Sequence, residues 1–209
     1  TDYWRETDFL AIGNYQIGDQ PWRGPVYNFR IYDEMYAPVN LRPRPIEPLV
    51  AVDVDTSGNI VVYGTAAETA DATVQGSPTI VGGPSGALDA IQFDTGAFVQ
   101  LGANGVDTDT TWTIDCYIYS PMTIAPGRWG TLTRGRDGDH QIIVKNDGHE
   151  LGGYENGRRG FVGTGWQINS LSDGWHRLTV SAGCTEASCA TRLVRYYMDG
   201  SEVGRTDYW

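Results

Sequence analysis

The chain contains 209 residues and carries a formal net charge of −11 at pH 7. This length is enough for one hydrophobic core, and all-β sandwiches often fill it as a single domain. The acidic balance argues against binding to nucleic acid or to anionic membranes, since both need clustered Lys and Arg side chains. No apolar run approaches the roughly 20 residues that span a bilayer. We therefore expect a soluble, globular protein that neither binds nucleic acid nor inserts into a membrane.

Short runs of alternating apolar and polar residues recur along the chain and predict β-strands. In chain order they cover residues 9–12, 26–32, 49–54, 59–63, 90–93, 98–101, 112–119, 141–145, 160–162, 176–182 and 194–198. Turn-forming pairs such as Asn156-Gly157 and Asp199-Gly200 separate several of them. Many short strands with regular turns predict an all-β fold, an antiparallel two-sheet sandwich of the jelly-roll type.

Residues 37–48 form a proline-rich connector that contains four of the ten prolines. Proline cannot donate a hydrogen bond to a strand ladder and fixes its own φ, so we expect an extended strap here. The 36 residues before the strap are too few to fold alone. We therefore expect residues 1–36 to pack with residues 49–205 in a single domain that spans 1–209.

The same four residues, Thr-Asp-Tyr-Trp, occupy positions 1–4 and 206–209. A match of this length at two fixed places is not expected by chance. Either a longer array has been divided at a repeat boundary, or a domain has been re-opened at a new point with a short overlap. In an array, aromatic residues at the two ends are candidates for head-to-tail contacts through an edge strand. These assembly candidates are Tyr3, Trp4, Tyr208 and Trp209.

The three cysteines fall into two groups. Cys184 and Cys189 lie between two predicted strands, so a disulfide between them would close the tip of a hairpin, and two unpaired surface thiols are the alternative. Cys116 alternates with apolar residues on one face of a strand and is interpreted as an inert core thiol. The cysteine pattern as a whole favours an extracellular or cell-surface protein.

Side chains with oxygen atoms alternate at Asp53, Asp55, Ser57 and Asn59, with Gly58 placed for a sharp turn. This pattern matches the first half of a calcium-binding loop. A glycine stands at the twelfth position instead of the bidentate Glu, so the segment is not an EF-hand. An ordinary turn uses the same residue types for their backbone habits, and both interpretations stay open here.

The constellations typical of enzymes are missing. Glu150 and Glu155 flank a Gly-Gly pair that is interpreted as a turn, so they are assigned to the solvated surface rather than to a glycosidase carboxylate pair. The three histidines have no metal-ligand spacing, and His176 is interpreted as a satisfied residue on an apolar strand face. We therefore expect no catalytic activity.

Aromatic side chains in Gly-rich, loop-like segments are candidates for stacking against sugar rings. Packing over the end of the sandwich is the alternative for each of them. Trp112 and Trp175 begin strands and are assigned to the core. The candidate ligand-binding residues are Trp22, Trp129, Tyr154, Trp166 and Arg158.

Four segments resemble the laminin-G-like, concanavalin-A-like jelly-roll family. They are the run Ile-Gln-Phe-Asp-Thr-Gly at 91–96, the core strand at 112–118, the Trp-His strand at 174–180 and the Tyr-Met-Asp-Gly hairpin at 197–200. The resemblance implies a concanavalin-A-like jelly roll. The order of its elements is shifted, however, because segments similar to the family's closing strands come first in this chain.

The shifted order resembles a circular permutation. Ile12-Gly13-Asn14 and the Phe-Arg-Ile-Tyr run at 29–32 are similar to the end of the family's sequence, whereas Val50–Val54 resembles its opening strand. Residues 1–36 would then supply the family's C-terminal strands, and the proline strap would join the old ends. Termini that lie close together make such a permutation tolerable.

The resemblance also implies a calcium ion near the rim of the sandwich. Tyr27 stands where the family has an acidic ligand, and Asp94 is an alternative ligand. The implied function is non-catalytic recognition of a glycan or an extracellular protein. The alternative is a structural repeat unit of a surface protein or filament that self-associates through its matching ends.

Overall fold

The computed structural model of the chain describes residues 9–13, 20–33, 47–66, 69–102, 106, 111–124, 127–135, 138–147, 149–157, 159–184 and 192–207. The regular structure in these segments consists mainly of strands, and a single-turn 3-10 helix lies at Ile168–Ser170. Two antiparallel sheets pack face to face around a common hydrophobic core. The predicted all-β, two-sheet sandwich is confirmed.

The first sheet has seven strands, in the spatial order β13-β12-β11-β10-β1-β8-β5. Its strands are β1 (Phe9–Ile12), β5 (Thr73–Gln75), β8 (Phe98–Gln100), β10 (Gly130–Gly135), β11 (His140–Val144), β12 (Glu150–Glu155) and β13 (Gly160–Gln167). Irregularities in the register of β10 and β11 interrupt the strict alternation of their side chains.

The second sheet has nine strands, seven of them in the order β16-β15-β14-β9-β2-β3-β4. The remaining two form a hairpin, β6-β7, that joins the sheet where β7 pairs with β2. Its strands are β2 (Pro25–Tyr32), β3 (Val50–Val54), β4 (Ile60–Tyr63), β6 (Thr79–Gly82), β7 (Leu88–Gln92), β9 (Trp112–Ser120), β14 (Gly174–Cys184), β15 (Arg192–Met198) and β16 (Ser201–Asp207).

The first two strands of the chain lie inside the sheets rather than at their edges. β1 pairs with β10 on one side and β8 on the other, and β2 lies between β9 and β3. Both sheets would therefore lose an interior strand if residues 9–32 were removed. The circular permutation itself rests on the family resemblance and stays a prediction.

Alternation in β9 shows how the sequence builds the core. Trp112, Ile114, Cys116 and Ile118 are each at most 3% exposed and face the second layer. Burial raises the pKa of the Cys116 thiol well above its ordinary value, so the thiol stays protonated and the prediction of a buried core cysteine is confirmed. Trp112 is confirmed as a core residue.

Five strands fall outside the predicted runs, namely β5, β6, β10, β12 and β16. Gly152 and Gly153 lie within β12, so the interpretation of this pair as a turn is wrong. Val162 carbonyl oxygen and Gly163 Cα lie where a Cβ on Gly152 would be, which explains why glycine is needed inside this strand. Among the residues that the structure describes, no helix is long and apolar enough to cross a membrane.

A candidate binding cleft on the seven-stranded sheet

The β12-β13 hairpin places two aromatic side chains on the solvent side of the seven-stranded sheet. Tyr154 pairs with Phe161 across the turn at Asn156-Gly157. Leu151 lies in the core, and the regular pairing from 152 to 155 turns Tyr154 to the opposite face. The observed register of the hairpin therefore decides which aromatic residues become neighbours.

Trp129 joins the two rings from the loop that precedes β10. Its ring centroid lies 5.3 Å from that of Phe161 and 6.0 Å from that of Tyr154, with interplanar angles of 56° and 76°. These tilted and edge-on arrangements are favourable for aromatic pairs. We call Trp129, His140, Tyr154 and Phe161 the cleft cluster, since His140 also packs edge-on against Tyr154 at 5.7 Å.

A cleft of about 230 Å³ opens beside this cluster. Its described lining residues are Gln20, Trp129, Gly138, His140, Ile143, Tyr154 and Asn156. The walls thus combine aromatic residues with two amide-bearing residues and one imidazole.

The register shift in β11 explains how two of its residues reach the cleft. Ile142 and Val144 belong to the core, whereas His140 and Ile143 line the cleft. The pairing is irregular between His140 and Ile143, so the strict two-residue alternation is broken there. Such bulges re-aim side chains, which is why they recur beside functional sites.

His140 is an uncharged group within the cleft wall. It is 5% exposed, and burial together with the positive charge of Arg134 lowers its pKa to about 3. Near neutral pH the imidazole therefore has one N–H donor and one nitrogen acceptor. The imidazole therefore adds a polar group to the cleft wall without a formal charge.

The two amides that line the cleft are held in place by neighbouring strands and turns. The Thr131 backbone N–H donates to the Gln20 carbonyl oxygen at 3.1 Å, and the Thr131 hydroxyl donates to Gln20 Oε1 at 3.4 Å. The Asn156 backbone N–H donates to Asp139 Oδ1 at 2.6 Å. Both amide-bearing segments are thus anchored to the sheet rather than free in solution.

Two of the five predicted ligand-binding residues meet in the cleft, Trp129 and Tyr154. Trp22 is fully buried, so the expectation that its ring is available for stacking is wrong. Trp166 packs against the hydrophobic core and does not line the cleft. Arg158 lies outside the described residues.

Sequence reasoning missed Phe161, His140 and Gln20. Phe161 was not predictable from the turn, because a two-residue turn at Asn156-Gly157 would place Arg159 opposite Tyr154, whereas the observed register pairs Tyr154 with Phe161. His140 was not predictable either. The direction of its side chain depends on the β11 bulge, which no local pattern in the sequence predicts. Gln20 comes from a loop that is distant in sequence from the strands it touches.

The predicted calcium segment forms a turn that is closed by its own hydrogen bonds. Asp55 Oδ1 accepts from the backbone N–H groups of Ser57 and Asn59 at 2.8 and 2.9 Å, and the Asn59 side-chain amide donates to Asp55 Oδ2 at 3.1 Å. The bonds from Asn59 and the turn backbone lower the pKa of Asp55. This geometry is that of the turn interpretation.

Asp53 accepts hydrogen bonds from residues outside this turn. Arg30 donates to its two carboxylate oxygens at 3.0 and 2.6 Å, and the Tyr63 hydroxyl donates to Oδ2 at 2.5 Å. A calcium ion at Asp53 and Asp55 would have to displace the guanidinium, so this arrangement does not fit the ion. Asp94 lies in an exposed turn. No group of three or more His, Cys, Asp or Glu side chains within the described segments is arranged to hold a metal, and calcium binding stays a prediction.

Three further acidic and basic residues, Glu150, Glu155 and His176, differ in how they match expectation. Glu155 is 3% exposed, so its assignment to the solvated surface is wrong. Glu150 is partly exposed and accepts from the Gly165 N–H at 2.7 Å. His176 is satisfied as expected, with Nδ1 2.7 Å from Asp199 Oδ2 and Nε2 2.9 Å from the Ser172 carbonyl oxygen.

The predicted disulfide and assembly residues lie outside what the structure describes. Strands β14 and β15 do form the expected hairpin, with Cys184 opposite Arg192 in the register. Cys189 and the side chain of Cys184 are not described, so the disulfide stays a prediction. The same holds for the four aromatic residues at the chain ends, Tyr3, Trp4, Tyr208 and Trp209.

A second aromatic cluster lies on the solvent side of the nine-stranded sheet. We call Tyr27, Tyr117, Tyr119 and Trp175 the opposite-face cluster. Trp175 lies 5.5 Å from Tyr119 and 6.4 Å from Tyr27, and Tyr27 lies 5.8 Å from Tyr117, measured between ring centroids. Trp175 is only partly buried, which corrects its assignment to the core. Its position next to His176 in an alternating strand turns it away from the core.

No protein-family model, no curated protein and no solved structure matches the chain. The laminin-G-like resemblance therefore rests on the segments quoted above and stays a prediction.

Proposed function

We propose that the protein is a non-catalytic recognition module that binds glycans in the cleft of the seven-stranded sheet. The observation that carries this proposal is the cleft cluster itself, in which the packed rings of Trp129 and Tyr154 border a cleft of about 230 Å³ together with amide and imidazole groups, and Phe161 packs against Trp129. Sugars present C–H faces and hydroxyl groups, and this wall offers matching apolar and hydrogen-bonding surfaces. An extracellular or cell-surface location is part of the proposal.

Each component of the cleft has a separate role in this account. Trp129 and Tyr154 supply apolar surface on which a sugar ring stacks, and Phe161 supports Trp129 from behind. Gln20 and Asn156 exchange hydrogen bonds with hydroxyl groups, since an amide both donates and accepts. The anchoring of both amide segments limits the conformational entropy that binding costs.

A glycan array tests the proposal. We expect saturable binding by the wild-type chain, loss of at least about 30-fold in affinity for Trp129→Ala, as for a central aromatic contact, and unchanged affinity for Trp175→Ala. The second variant is a matched control, because Trp175 is also partly buried and packs edge-on against a tyrosine. Absence of binding to any printed glycan, or equal losses in the two variants, would contradict the proposal.

Self-association remains a second candidate because part of the repeated end lies in an edge strand. Thr206 and Asp207 belong to β16, which forms one edge of the nine-stranded sheet. An edge strand can pair with a strand from a second chain. We expect the full chain to associate in sedimentation experiments and a chain without residues 1–4 to stay monomeric, and two monomeric results would remove this candidate.

A further inference from the structure

We propose that Asn156 is a site of spontaneous covalent modification, at which the exposed Asn156-Gly157 turn beside the cleft converts its side-chain amide to aspartate and isoaspartate. This inference concerns the chemistry of the chain itself and does not require the cleft to bind a glycan. Its basis is the identity of the two residues, their exposure and the open space around Gly157.

The turn between β12 and β13 presents both reacting residues to solvent. Asn156 and Gly157 are exposed, and Gly157 has a φ of +85°. Among the described residues, its chain neighbours aside, no atom lies within 4 Å of the position that a Cβ on Gly157 would occupy. Water and hydroxide therefore reach the peptide bond between the two residues.

The reaction is intramolecular, and water is its only co-reactant. The Gly157 backbone nitrogen attacks Asn156 Cγ, so that a new N–C bond closes a succinimide ring while the Cγ–Nδ2 bond breaks. The leaving nitrogen takes the Gly157 amide proton and departs as ammonia. Water then opens the ring, at Cγ to give aspartate or at the backbone carbonyl carbon to give isoaspartate.

Glycine in the following position favours ring closure for two reasons. It has no side chain to block the approach of its nitrogen, and it reaches backbone conformations that other residues avoid. The nucleophile and the carbonyl carbon also belong to adjacent residues, which gives the high effective concentration of intramolecular reactions.

Two other asparagines serve as internal references. Asn59 is also exposed, but its amide donates to Asp55 Oδ2 at 3.1 Å, so ring closure has to break this bond. The β-branched Ile60 follows Asn59 and crowds the attacking nitrogen. Asn104 precedes a glycine, as Asn156 does, and lies outside the described residues.

The modification would change the wall of the cleft. Asn156 lines the cleft, and its Nδ2 lies 2.8 Å from the position of a Cβ on Gly138, so the amide packs over this glycine. An amide donates and accepts hydrogen bonds, whereas a carboxylate only accepts them. Isoaspartate also adds a methylene to the backbone between Tyr154 and Phe161. If the proposed glycan-binding function holds, both products should weaken binding.

The test is peptide mapping by mass spectrometry after the folded full chain has been incubated in mildly alkaline buffer made with heavy-oxygen water. We expect Asn156 to convert at least about tenfold faster than Asn59, with heavy oxygen incorporated and both aspartate and isoaspartate formed. Asn156→Gln is the matched control, because it keeps an amide but would have to close a larger ring. Position 156 of this variant should stay unmodified over the same period.

The outcomes separate this proposal from the glycan-binding function. Absence of conversion at Asn156, whether or not Asn104 converts, would overturn the proposed modification. Equal rates at Asn156 and Asn59 would overturn it as well. Conversion at Asn156 in a chain that binds no printed glycan would support the modification and contradict the glycan-binding function alone.

Discussion

Both sheets turn a cluster of four ring-bearing residues toward solvent, but the groups around the rings differ. The cleft cluster borders an open volume lined by neutral polar groups. The opposite-face cluster lies over paired charges: Arg177 stacks over Tyr117 at 6.0 Å and donates to both oxygens of Asp115 at 2.9 and 2.6 Å. The cleft cluster thus adjoins a cleft that amide groups help to line, whereas the charged side chains beside the opposite-face cluster pair with each other.

The comparison teaches that aromatic content on a strand face does not by itself identify a binding site. Tyr119 is among the more exposed large hydrophobic side chains, at 37%, yet it does not line the cleft beside Trp129. Cross-strand aromatic pairs stabilise sheets in their own right. Concavity and neutral hydrogen-bonding groups distinguish the cleft cluster, and the following variants test that distinction from the larger expected effect to the smaller.

Removing the buried carboxylate beneath the opposite-face cluster should have the largest effect on stability. Asp115 is 3% exposed and also accepts the Thr179 hydroxyl at 2.7 Å. Asp115→Ala leaves the Arg177 guanidinium without its carboxylate, and we expect the free energy of unfolding to fall by about 3–5 kcal/mol in urea denaturation. The cleft variant Asn156→Ala, at an exposed residue, should change the free energy of unfolding by no more than about 0.5 kcal/mol. Similar losses in the two variants would contradict the division of roles between the faces.

The cleft histidine should make the protein less stable in acid. The pKa of His140 falls to about 3 in the folded chain, compared with about 6.5 when unfolded, so the unfolded state binds the proton more readily. The stability loss begins as the pH drops below about 6.5 and reaches about 3 kcal/mol near pH 4. Guanidinium unfolding at several pH values should show a flatter profile for His140→Gln than for wild type. If the free energy of unfolding changed with pH in the same way in wild type and in His140→Gln, His140 would not be held neutral in the folded chain.

His176, on the nine-stranded sheet, should change the free energy of unfolding with pH in the opposite direction from His140. The change should also be smaller. Burial would lower the pKa of His176, but its bonds to Asp199 and to the Ser172 carbonyl, with the Asp199 charge, outweigh burial and raise it. Both neighbours are acceptors, so only the imidazolium satisfies both. Its stabilisation is complete below the ordinary pKa of about 6.5 and is lost as the pH rises through the raised value. We expect His176→Gln to be destabilised by about 1 kcal/mol near pH 6 and by less near pH 9.

The fold was predictable from local patterns wherever alternation was clean. The β9 residues Trp112, Ile114 and Cys116 are apolar at every second position, and their burial follows directly. Strands β10 and β12 were missed because threonine, arginine and glycine break that pattern, although tertiary packing buries all of β10. Trp175 was misassigned because its position at the start of a strand was given more weight than the face it occupies.

The site was predictable only in part, for physical reasons that differ between residues. Trp129 and Tyr154 stand in Gly-rich surroundings that suggested exposure, and the structure brings both to one cleft. Trp22 stands in similar surroundings but is fully buried, because contacts far along the chain decide the outcome. His140 reaches the cleft through a bulge, and its neutral state depends on burial and on Arg134, which one-dimensional spacing does not encode.

The most direct test of the central claim follows the tryptophan indole N–H signals by NMR while a soluble form of the tightest-binding neutral glycan from the array is added. Assignments come from Trp129→Ala and Trp175→Ala. We predict that the Trp129 signal shifts in a saturable manner, while the Trp175 signal stays in place. A saturable shift of Trp175 without one of Trp129 would contradict the account and place recognition on the opposite sheet.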